Sequence, residues 1–476
     1  MIGRAWERQE LLRRYQRNKA EFIAVYGRLG VGKTYLVDNT LGGKITFRHT
    51  ALSPAEDAKT GELSRQLSQF WLTLQRYHVH TDHCPTSWME AFYMLEVWLE
   101  AVDDGSRQVV FLDEVPWLDT PRSHFLSALE SFWNNWGCHR KHFMLVVSGS
   151  ASAWIIDHLI NNHGGLYDRL TYPMKLSPFT LRECEQFFEE RQMAFSRCDI
   201  AQGVMMLGGI PSYLDAFEPG LSLTENIDRL LFSRHAALKY EWDRLFTSTF
   251  QHPAAMKAIV RVLSTHRGGL TRNEIARALG YSSGGTLSGC LKSLVESDLV
   301  VRFVPFGRKK SEAHYLLTDP FCLFYLQFME GPHKQDAHYW LKSVGTEKVR
   351  AFQKVAFENL CFQHIDQIKR ALDIFGVETT QFAWLGDEET ASTTEMELLV
   401  DRKDHVVNMC EMDFSSGPLS VDKSYYLKLL TRQTMLAGKL STKMVIHPTL
   451  ITLDGVTYGA YSGIFSRVIT LDDLFD

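Results

Sequence analysis

The sequence GRLGVGKT at residues 27–34 fits the pattern G-x-x-x-x-G-K-[ST], in which a glycine-rich loop closes around phosphate groups. The apolar run at residues 22–26 precedes this loop and predicts a buried parallel strand that ends where the loop begins. Residues 35–37 predict the helix that follows. A phosphate-binding loop requires this strand–loop–helix order, whereas the alternative, a glycine-rich turn with a solvated lysine, does not.

Each residue type in the loop has a defined chemical task. Gly27, Gly30 and Gly32 let backbone N–H groups approach the phosphates closely. Lys33 is expected to reach the β- and γ-phosphates, and the Thr34 hydroxyl is expected to ligate Mg²⁺. The loop therefore predicts an α/β fold with a parallel sheet, and ATP and Mg²⁺ as cofactors.

A second apolar run, residues 108–112, ends in the acidic pair Asp113 and Glu114. In a parallel sheet the carboxyl ends of the strands lie at one edge, so this pair is expected beside the phosphate-binding loop. Asp113 would then hold Mg²⁺, and Glu114 would polarise the attacking water. An acidic pair after a buried strand is common by itself, but downstream of this loop it predicts an ATPase.

Further candidates lie near two downstream strands. Residues 143–147 predict a strand that leads into Ser148 and Ser150, and either hydroxyl could sense the γ-phosphate or position the water. We assign Ser150 as the catalytic candidate, with a simple serine-rich turn as the alternative. Arg169 precedes the strand-like residues 171–176 and could act as an arginine finger, supplied by the same chain or by a neighbouring subunit. The alternative for Arg169 is a surface ion pair.

The segment before the first strand carries Ile2, Gly3 and Arg4 and continues into an amphipathic helix that ends near residue 18. Its position next to the strand of the loop predicts that these three residues line the adenine pocket. The alternative is a helix that only caps the sheet.

Residues 177–235 predict helices, interrupted by the Gly-Gly-x-Pro turn at residues 208–211. We interpret this part as a small helical lid over the nucleotide.

A helix-turn-helix pattern begins at residue 253. It contains a helix with Thr271 as its N-cap, a following helix over residues 283–294, and a hairpin whose loop carries three cations, Arg308, Lys309 and Lys310. This order predicts a winged helix, whose second helix would enter a major groove of DNA while the basic loop contacts phosphates. Because that helix carries a single cation, a purely structural role is the alternative.

Six of these features together resemble the prokaryotic archaeal-type P-loop ATPases of the AAA+/STAND-like group. They are the Gly3-Arg4 box, GRLGVGKT, VVFLDEV at residues 109–115, SGSAS at residues 148–152, Arg169 with its strand, and GGIPSYL at residues 208–214. The resemblance covers essentially the whole chain and implies a winged helix and a small α/β C-terminal domain like restriction endonucleases. The implied domains are the ATPase core (1–176), the helical lid (177–245), the winged helix (246–330) and the endonuclease-like domain (331–476).

In that nuclease fold, acidic residues hold a divalent metal that activates water, and a lysine steadies the nucleophile or the phosphate. The resemblance matches Glu358, Glu397 and Glu411 to the acidic positions and so implies a second metal site. Asp413 stands where the lysine is expected, so an anion that repels phosphate replaces a cation that attracts it. We therefore predict weak or absent phosphodiester cleavage, unless a lysine of the next helix reaches the site. Solvated carboxylates on two edge strands are the alternative.

Composition limits the remaining choices. The 476 residues carry a formal net charge of −5, which argues against a globally basic nucleic-acid binder but permits a local basic face. The N-terminus is charged and no apolar run is long enough to span a membrane, so we expect a cytoplasmic protein without a membrane partner. The eight cysteines form no C-x-x-C pair and predict reduced thiols rather than a zinc site.

The favoured function is an ATPase that couples its nucleotide state to a winged-helix and nuclease-like module on or near nucleic acid. The alternatives are a slow nucleotide-gated protein-interaction switch and an ATP-regulated metal-dependent nuclease. Expected partners are DNA, through the winged helix, and an unidentified protein or effector. A finger role of Arg169 in a neighbouring subunit would require a homo-oligomer.

Overall fold

The computed structural model describes residues 2–53, 61–79, 81–161, 164–250, 252–281, 285–331, 336–385 and 396–476. By their contacts the residues fall into two compact units. The first comprises Met1–Pro178 and Arg244–Gln251, and the second comprises Phe179–Asp243 and His252–Asp476.

The first unit contains a sheet of five parallel strands in the order β2-β3-β4-β1-β5. The strands are β1 (Glu21–Tyr26), β2 (Phe47–Thr50), β3 (Gln108–Asp113), β4 (Phe143–Gly149) and β5 (Tyr172–Lys175). The three central strands are continuous apolar runs, as expected where helices cover both faces of a parallel sheet. The predicted α/β fold with a parallel sheet is therefore confirmed.

The helices of the first unit pack aromatic side chains against this sheet. They are α1 (Ala5–Tyr15), α2 (Lys33–Leu41), α3 (Glu62–Arg76), α4 (Trp88–Ala101), α5 (Phe125–Ser131) and α6 (Ser152–Ile155). Phe70 of α3 lies 5.7 Å from Phe47 of β2 and 5.6 Å from Trp88 of α4, measured between ring centroids. Full burial of each such ring contributes about 1.5–3 kcal/mol, so this aromatic layer fixes the helices on the sheet.

The second unit begins with helices, continues into a small antiparallel sheet and ends with a larger mixed sheet. Its helices are α7 (Leu181–Glu190), α8 (Arg197–Leu207), α9 (Pro211–Leu214), α10 (Leu223–Ile227), α12 (Pro253–Ser264), α13 (Arg272–Leu279), α14 (Gly285–Glu296), α15 (Pro320–Phe324), α16 (Tyr339–Ser343), α17 (Glu347–Gln363), α18 (Ile365–Ala371) and α19 (Lys423–Ala437), while α11 (Glu241–Thr249) is divided between the two units. The predicted N-cap of α13 is confirmed, because the Thr271 hydroxyl accepts the Glu274 N–H in a capping box. Residue 283, the expected start of α14, lies outside the described residues.

The small sheet is antiparallel and has the order β6-β8-β7. Its strands are β6 (Leu270–Thr271), β7 (Val300–Phe303) and β8 (His314–Leu317). In the larger sheet, β9 (Thr379–Trp384), β10 (Glu397–Arg402) and β11 (Val406–Asp413) pair antiparallel. β12 (Val445–Thr452) pairs in parallel with β11, and β13 (Arg467–Thr470) pairs in parallel with β12. β10 and β11 are therefore interior strands, so the alternative of two edge strands with solvated carboxylates is wrong.

A break at His364 separates α17, the helix that carries Glu358, from α18. α17 ends at Gln363 and α18 begins at Ile365, because the His364 backbone leaves the helical conformation at φ −106°. The buried imidazole accepts the Leu181 N–H at Nε2 and contacts the Leu360 carbonyl at Nδ1. Burial lowers the pKa of His364, which favours the neutral ring that these two contacts require.

Candidate nucleotide-binding site

The loop between β1 and α2 keeps a backbone path that only glycine permits at its first position. Gly27 has φ +150°, and a Cβ built there would lie 2.3 Å from the Leu176 carbonyl oxygen. Gly32, the N-cap of α2, has the left-handed φ of +90°. The loop therefore turns directly from the end of β1 into the N-terminus of α2, where free N–H groups and the helix dipole favour an anion.

Lys33 points back into this loop. Its Nζ donates to the carbonyl oxygens of Gly27 at 3.1 Å and Arg28 at 3.2 Å, and to the Ser150 hydroxyl at 2.8 Å. Lys33 is 5% exposed, and its burial lowers the pKa of the ammonium group, although the charges of Glu114 and Asp113 act in the opposite direction. All three N–H bonds of the ammonium group thus have acceptors within the loop region.

Thr34 and Asp113 bring two oxygen ligands together. The Thr34 hydroxyl donates to Asp113 Oδ2 at 3.0 Å, and the Ser148 hydroxyl donates to Asp113 Oδ1. Asp113 ends β3 beside the loop, as expected from the common edge of a parallel sheet. A threonine hydroxyl and an aspartate carboxylate are hard oxygen donors, so their chemistry fits Mg²⁺.

Glu114 follows β3 in the left-handed conformation, with φ +55° and ψ 48°. Its carboxylate accepts the Ser150 N–H at 2.8 Å and the Ser150 hydroxyl, and it lies 3.9 Å from Lys33 Nζ. Left-handed backbone is uncommon outside glycine and occurs often at functional sites. Ser150 therefore connects the lysine of the loop to the acid at the end of β3.

The two serines after the third predicted strand have different partners. The Ser148 hydroxyl donates to Asp113 and accepts the Glu114 backbone N–H at 3.3 Å, whereas Ser150 contacts the Glu114 carboxylate and Lys33. Both side chains are fully buried, which shows that neither belongs to a solvated turn. The predicted strand puts both serines at the carboxyl edge of the sheet, but the sequence does not show which acid each serine contacts.

Arg4 makes contacts that its position in the sequence did not reveal. Its Nη2 donates to the Val31 carbonyl at 3.2 Å and to the Ser177 carbonyl at 2.6 Å, and its side chain pairs with Glu7 at 3.5 Å. The guanidinium thus ties the segment before α1 to the loop and to the residues after β5. Gly3 next to it has the left-handed φ of +62°. An adenine-binding role of Gly3 and Arg4 stays a prediction.

Arg169 lies in the turn before β5 with an exposed side chain, and none of the contacts described for the loop involves it. The candidate finger residue is thus separate from the buried group formed by Lys33, Thr34, Asp113, Glu114 and Ser150.

In the second unit, Glu397 of β10 and Glu411 of β11 face Arg432 of α19. Arg432 Nη1 lies 2.9 Å from Glu397 Oε1 and 2.8 Å from Glu411 Oε2. Burial raises the pKa of both carboxyl groups, and it raises the pKa of Glu358 on α17 to about 7. Across the described ranges, no group of three or more His, Cys, Asp or Glu side chains is arranged to hold a metal ion.

Arg432 is the residue of this cluster that sequence reasoning missed. The sequence left open that a lysine of α19 reaches the acids, and the charge of Lys428 does act on Glu397 and Glu411, against the upward pKa shifts that burial causes. Arg432 follows Lys428 by four residues and therefore shares its helix face. That spacing was the sequence signal that could have identified Arg432.

Among the helices that the structure describes, none combines the length and the apolar character that a membrane span requires.

The chain is similar to one protein known by its sequence and to several solved structures. An uncharacterized protein of Methanocaldococcus jannaschii is 23% identical over 332 residues, covering 69% of this chain and 68% of that protein. Among solved structures, a Walker-type ATPase of Pyrococcus abyssi has a TM-score of 0.46 and 17% identity, covering 68% of this chain and 96% of that one. The ORC2 protein of Aeropyrum pernix, solved with ADPNP and ADP, has a TM-score of 0.40 and 15% identity over 77% of this chain and 96% of its own.

The sequence match to a protein family falls on the part of the chain that contains the loop. Residues 1–217 match the family described as an ATPase domain predominantly from Archaea. This match and the contacts among Lys33, Thr34, Asp113 and Glu114 support an archaeal-type P-loop ATPase domain over residues 1–217.

Proposed function

We propose that the chain binds and hydrolyses Mg-ATP at its P-loop and couples nucleotide state to a winged-helix and nuclease-like module on or near nucleic acid. One observation carries this proposal: Lys33, Thr34, Asp113 and Glu114 meet at the carboxyl ends of β1 and β3. Steady-state phosphate release from Mg-ATP tests it, with Glu114→Gln as the blank.

The roles follow from the chemistry of each side chain. Lys33 would exchange the Gly27 and Arg28 carbonyls for phosphate oxygens, so its buried ammonium group keeps three acceptors. Thr34 and Asp113 would hold Mg²⁺, which when bound neutralises charge that develops on the phosphates. Glu114 would accept a proton from the water that attacks the γ-phosphorus as the bond to the leaving ADP oxygen breaks.

Ser150 is proposed as a positioning residue for this step. Its N–H and its hydroxyl both bond to the Glu114 carboxylate, and its hydroxyl also accepts from Lys33. Because these two bonds occupy both oxygens of the Glu114 carboxylate, they compete with the attacking water and favour slow basal turnover. The nucleotide-gated switch is therefore the second candidate function, and the measured turnover separates it from an efficient ATPase.

Arg169 is proposed as a finger that acts on the P-loop of a neighbouring subunit, because its exposed position leaves it available to a second copy of the chain. We expect Arg169→Ala to lower turnover by about 10³-fold or more while ATP binding is kept, because the finger contacts only developing charge. Phosphate release and nucleotide binding are to be measured at several protein concentrations. Arg65→Ala removes an exposed arginine of α3 as the matched control, and unchanged turnover in Arg169→Ala would remove the argument for assembly.

A winged helix over residues 246–330 is supported by the order of α12, α13, α14 and the antiparallel sheet of β6, β8 and β7. The Phe306 N–H donates to the Ala383 carbonyl at 3.0 Å, and the Phe306 ring lies 5.5 Å from the Phe382 ring. The base of the basic loop is thus fixed on β9. The three cations beyond it, Arg308, Lys309 and Lys310, are exposed and are proposed to contact phosphates.

Replacing Arg308, Lys309 and Lys310 by alanine is expected to weaken binding of a labelled DNA duplex and to reduce the slope of log K against log salt by about 0.9 per lost phosphate contact. Fluorescence anisotropy at several salt concentrations measures both quantities. The matched control replaces three exposed cations of the same unit that lie outside the basic loop, Arg182, Lys342 and Lys403; each pairs with an acid, as Arg308 does with Glu312. An equal loss in both triple variants would mean that net charge, not the basic loop, governs DNA binding.

The endonuclease-like domain over residues 331–476 is supported by the element order α17, β9, β10, β11, α19, β12. In this order β9, β10 and β11 pair antiparallel, and β12, which follows α19, pairs in parallel with β11. We propose that it is degenerate as a nuclease although Lys428 acts electrostatically on Glu397 and Glu411, because Arg432 binds one oxygen of each of these carboxylates. Asp413 stands at the position of the expected lysine, and the neighbouring Ser415 hydroxyl donates to it.

A further inference from the structure

The endonuclease-like fold implies a divalent metal held by its acidic residues, and the positions of these residues permit a test of that implication. Glu397 and Glu411 lie on neighbouring interior strands, and Glu358 lies on the helix that packs against β11. All three carboxylates are buried or nearly so. In such a dry position an ion pair is strong, but each charge needs a partner.

One carboxylate oxygen of Glu397 and one of Glu411 bind the same nitrogen atom, whereas the second oxygen of Glu397 is buried without a hydrogen-bond partner. Arg432 Nη1 lies 2.9 Å from Glu397 Oε1 and 2.8 Å from Glu411 Oε2, so it bridges the two strands as a shared cation would. Mg²⁺ requires oxygen ligands at about 2.0–2.1 Å. A metal bound to both oxygens would either displace the guanidinium or lie beside its positive charge. Neither arrangement fits the residues present.

The charges around the acids are already balanced by protein groups. Arg432 and Lys354 act electrostatically on Glu358, and Lys428 and Lys354 act on Glu411. Among the described residues of this unit, four cations act on these carboxylates, namely Lys354, Arg267, Arg432 and Lys428, and Asp413 is a fourth acid that acts on Glu411. The Arg432 side chain is only 16% exposed, so it is held inside this cluster rather than on the surface. A divalent ion would leave an excess of positive charge in a buried site, which is costly.

We propose that the Arg432 guanidinium is the permanent cation of this cluster, and that the C-terminal domain binds no divalent metal at Glu358, Glu397 and Glu411. Arg432 then links β10, β11 and α19 as an internal counter-ion. The chain then has one site for Mg²⁺, the P-loop, and this number of metal sites rests on the proposed function.

Mn²⁺ binding to the full chain without nucleotide tests the proposal. The P-loop metal site is first removed by Thr34→Ala with Asp113→Asn, so the result does not depend on ATP hydrolysis. In this background we expect the chain to bind no Mn²⁺ when the total Mn²⁺ concentration is millimolar. Electron paramagnetic resonance measures free Mn²⁺, and the bound fraction is the difference from the total. Adding Arg432→Met is expected to create one site, at least tenfold tighter than any binding in the background, and Glu397→Gln is expected to abolish it.

Arg402→Met is the control for loss of a cation, because Arg402 pairs with Asp404 in the same sheet rather than with the cluster. The proposal would be overturned if the background chain, which keeps Arg432, bound one equivalent of Mn²⁺ and lost it on Glu411→Gln. A folded Arg432→Met chain that gains no site would also overturn it. If Arg432→Met does not fold, the titration with Arg432 present still decides.

Discussion

Replacing Lys33 by alanine is expected to weaken ATP binding by about 10- to 100-fold, because charge-assisted hydrogen bonds are each worth about 1.5–3 kcal/mol. Turnover is expected to fall further, by about 10²–10³-fold, because the lysine acts most strongly on charge that develops in the transition state. The Lys33 ammonium group lies at the centre of the loop, with two backbone carbonyls and the Ser150 hydroxyl as its acceptors. A neutral methyl group can replace none of these interactions.

Binding of a fluorescent ATP analogue and phosphate release are the two measurements for Lys33→Ala. Lys141→Ala, which removes an exposed lysine of the same unit, is the matched control. Thermal unfolding without nucleotide shows whether the loop variant is folded. If folded Lys33→Ala binds ATP as tightly as the unchanged chain, the loop is not the nucleotide site.

Replacing Glu114 by glutamine is expected to separate binding from hydrolysis. The amide keeps the size of the side chain and can still accept the Ser150 N–H, but it cannot accept a proton from water. We therefore expect kcat to fall by about 10²–10⁴-fold, the range attributed to general base catalysis. Nucleotide affinity is expected to stay within about threefold, since Glu114 contacts water rather than phosphate in the proposed step.

The measurement for Glu114→Gln is kcat beside the dissociation constant for ATP. Glu100→Gln is the control, because Glu100 is an exposed acid of the same unit that pairs with Arg140. A loss of affinity equal to the loss of kcat would show that Glu114 supports the site structurally. Turnover at the rate of the unchanged chain would require another base.

The fold of the first unit could be predicted because its information is local. The loop pattern, the apolar strands before Gly27 and Asp113 and the rule that parallel strands end at one edge together predict which residues meet. The structure brings Lys33, Thr34, Asp113 and Glu114 together as this rule implies. Even so, Arg4 contacts the loop carbonyl of Val31, a contact that depends on how α1 packs and not on any motif.

In the second unit, the decisive contacts join residues far apart in the chain. Arg432 of α19 meets Glu397 and Glu411 on two strands, and the ring of His364, between α17 and α18, accepts the N–H of Leu181. Amphipathic periodicity carries no information about such partners. The resemblance to the nuclease fold identifies the acids but not Arg432, the cation that pairs with two of them.

ATP hydrolysis at the P-loop is tested most directly by Mg²⁺-dependent phosphate release from ATP. The rate of the full chain is measured with and without duplex DNA and compared with the rate of Glu114→Gln. We expect a rate that requires Mg²⁺, falls by about 10²-fold or more in Glu114→Gln and rises with DNA through the basic loop at Arg308. A rate no greater than that of Glu114→Gln, with or without DNA, would contradict hydrolysis at this site.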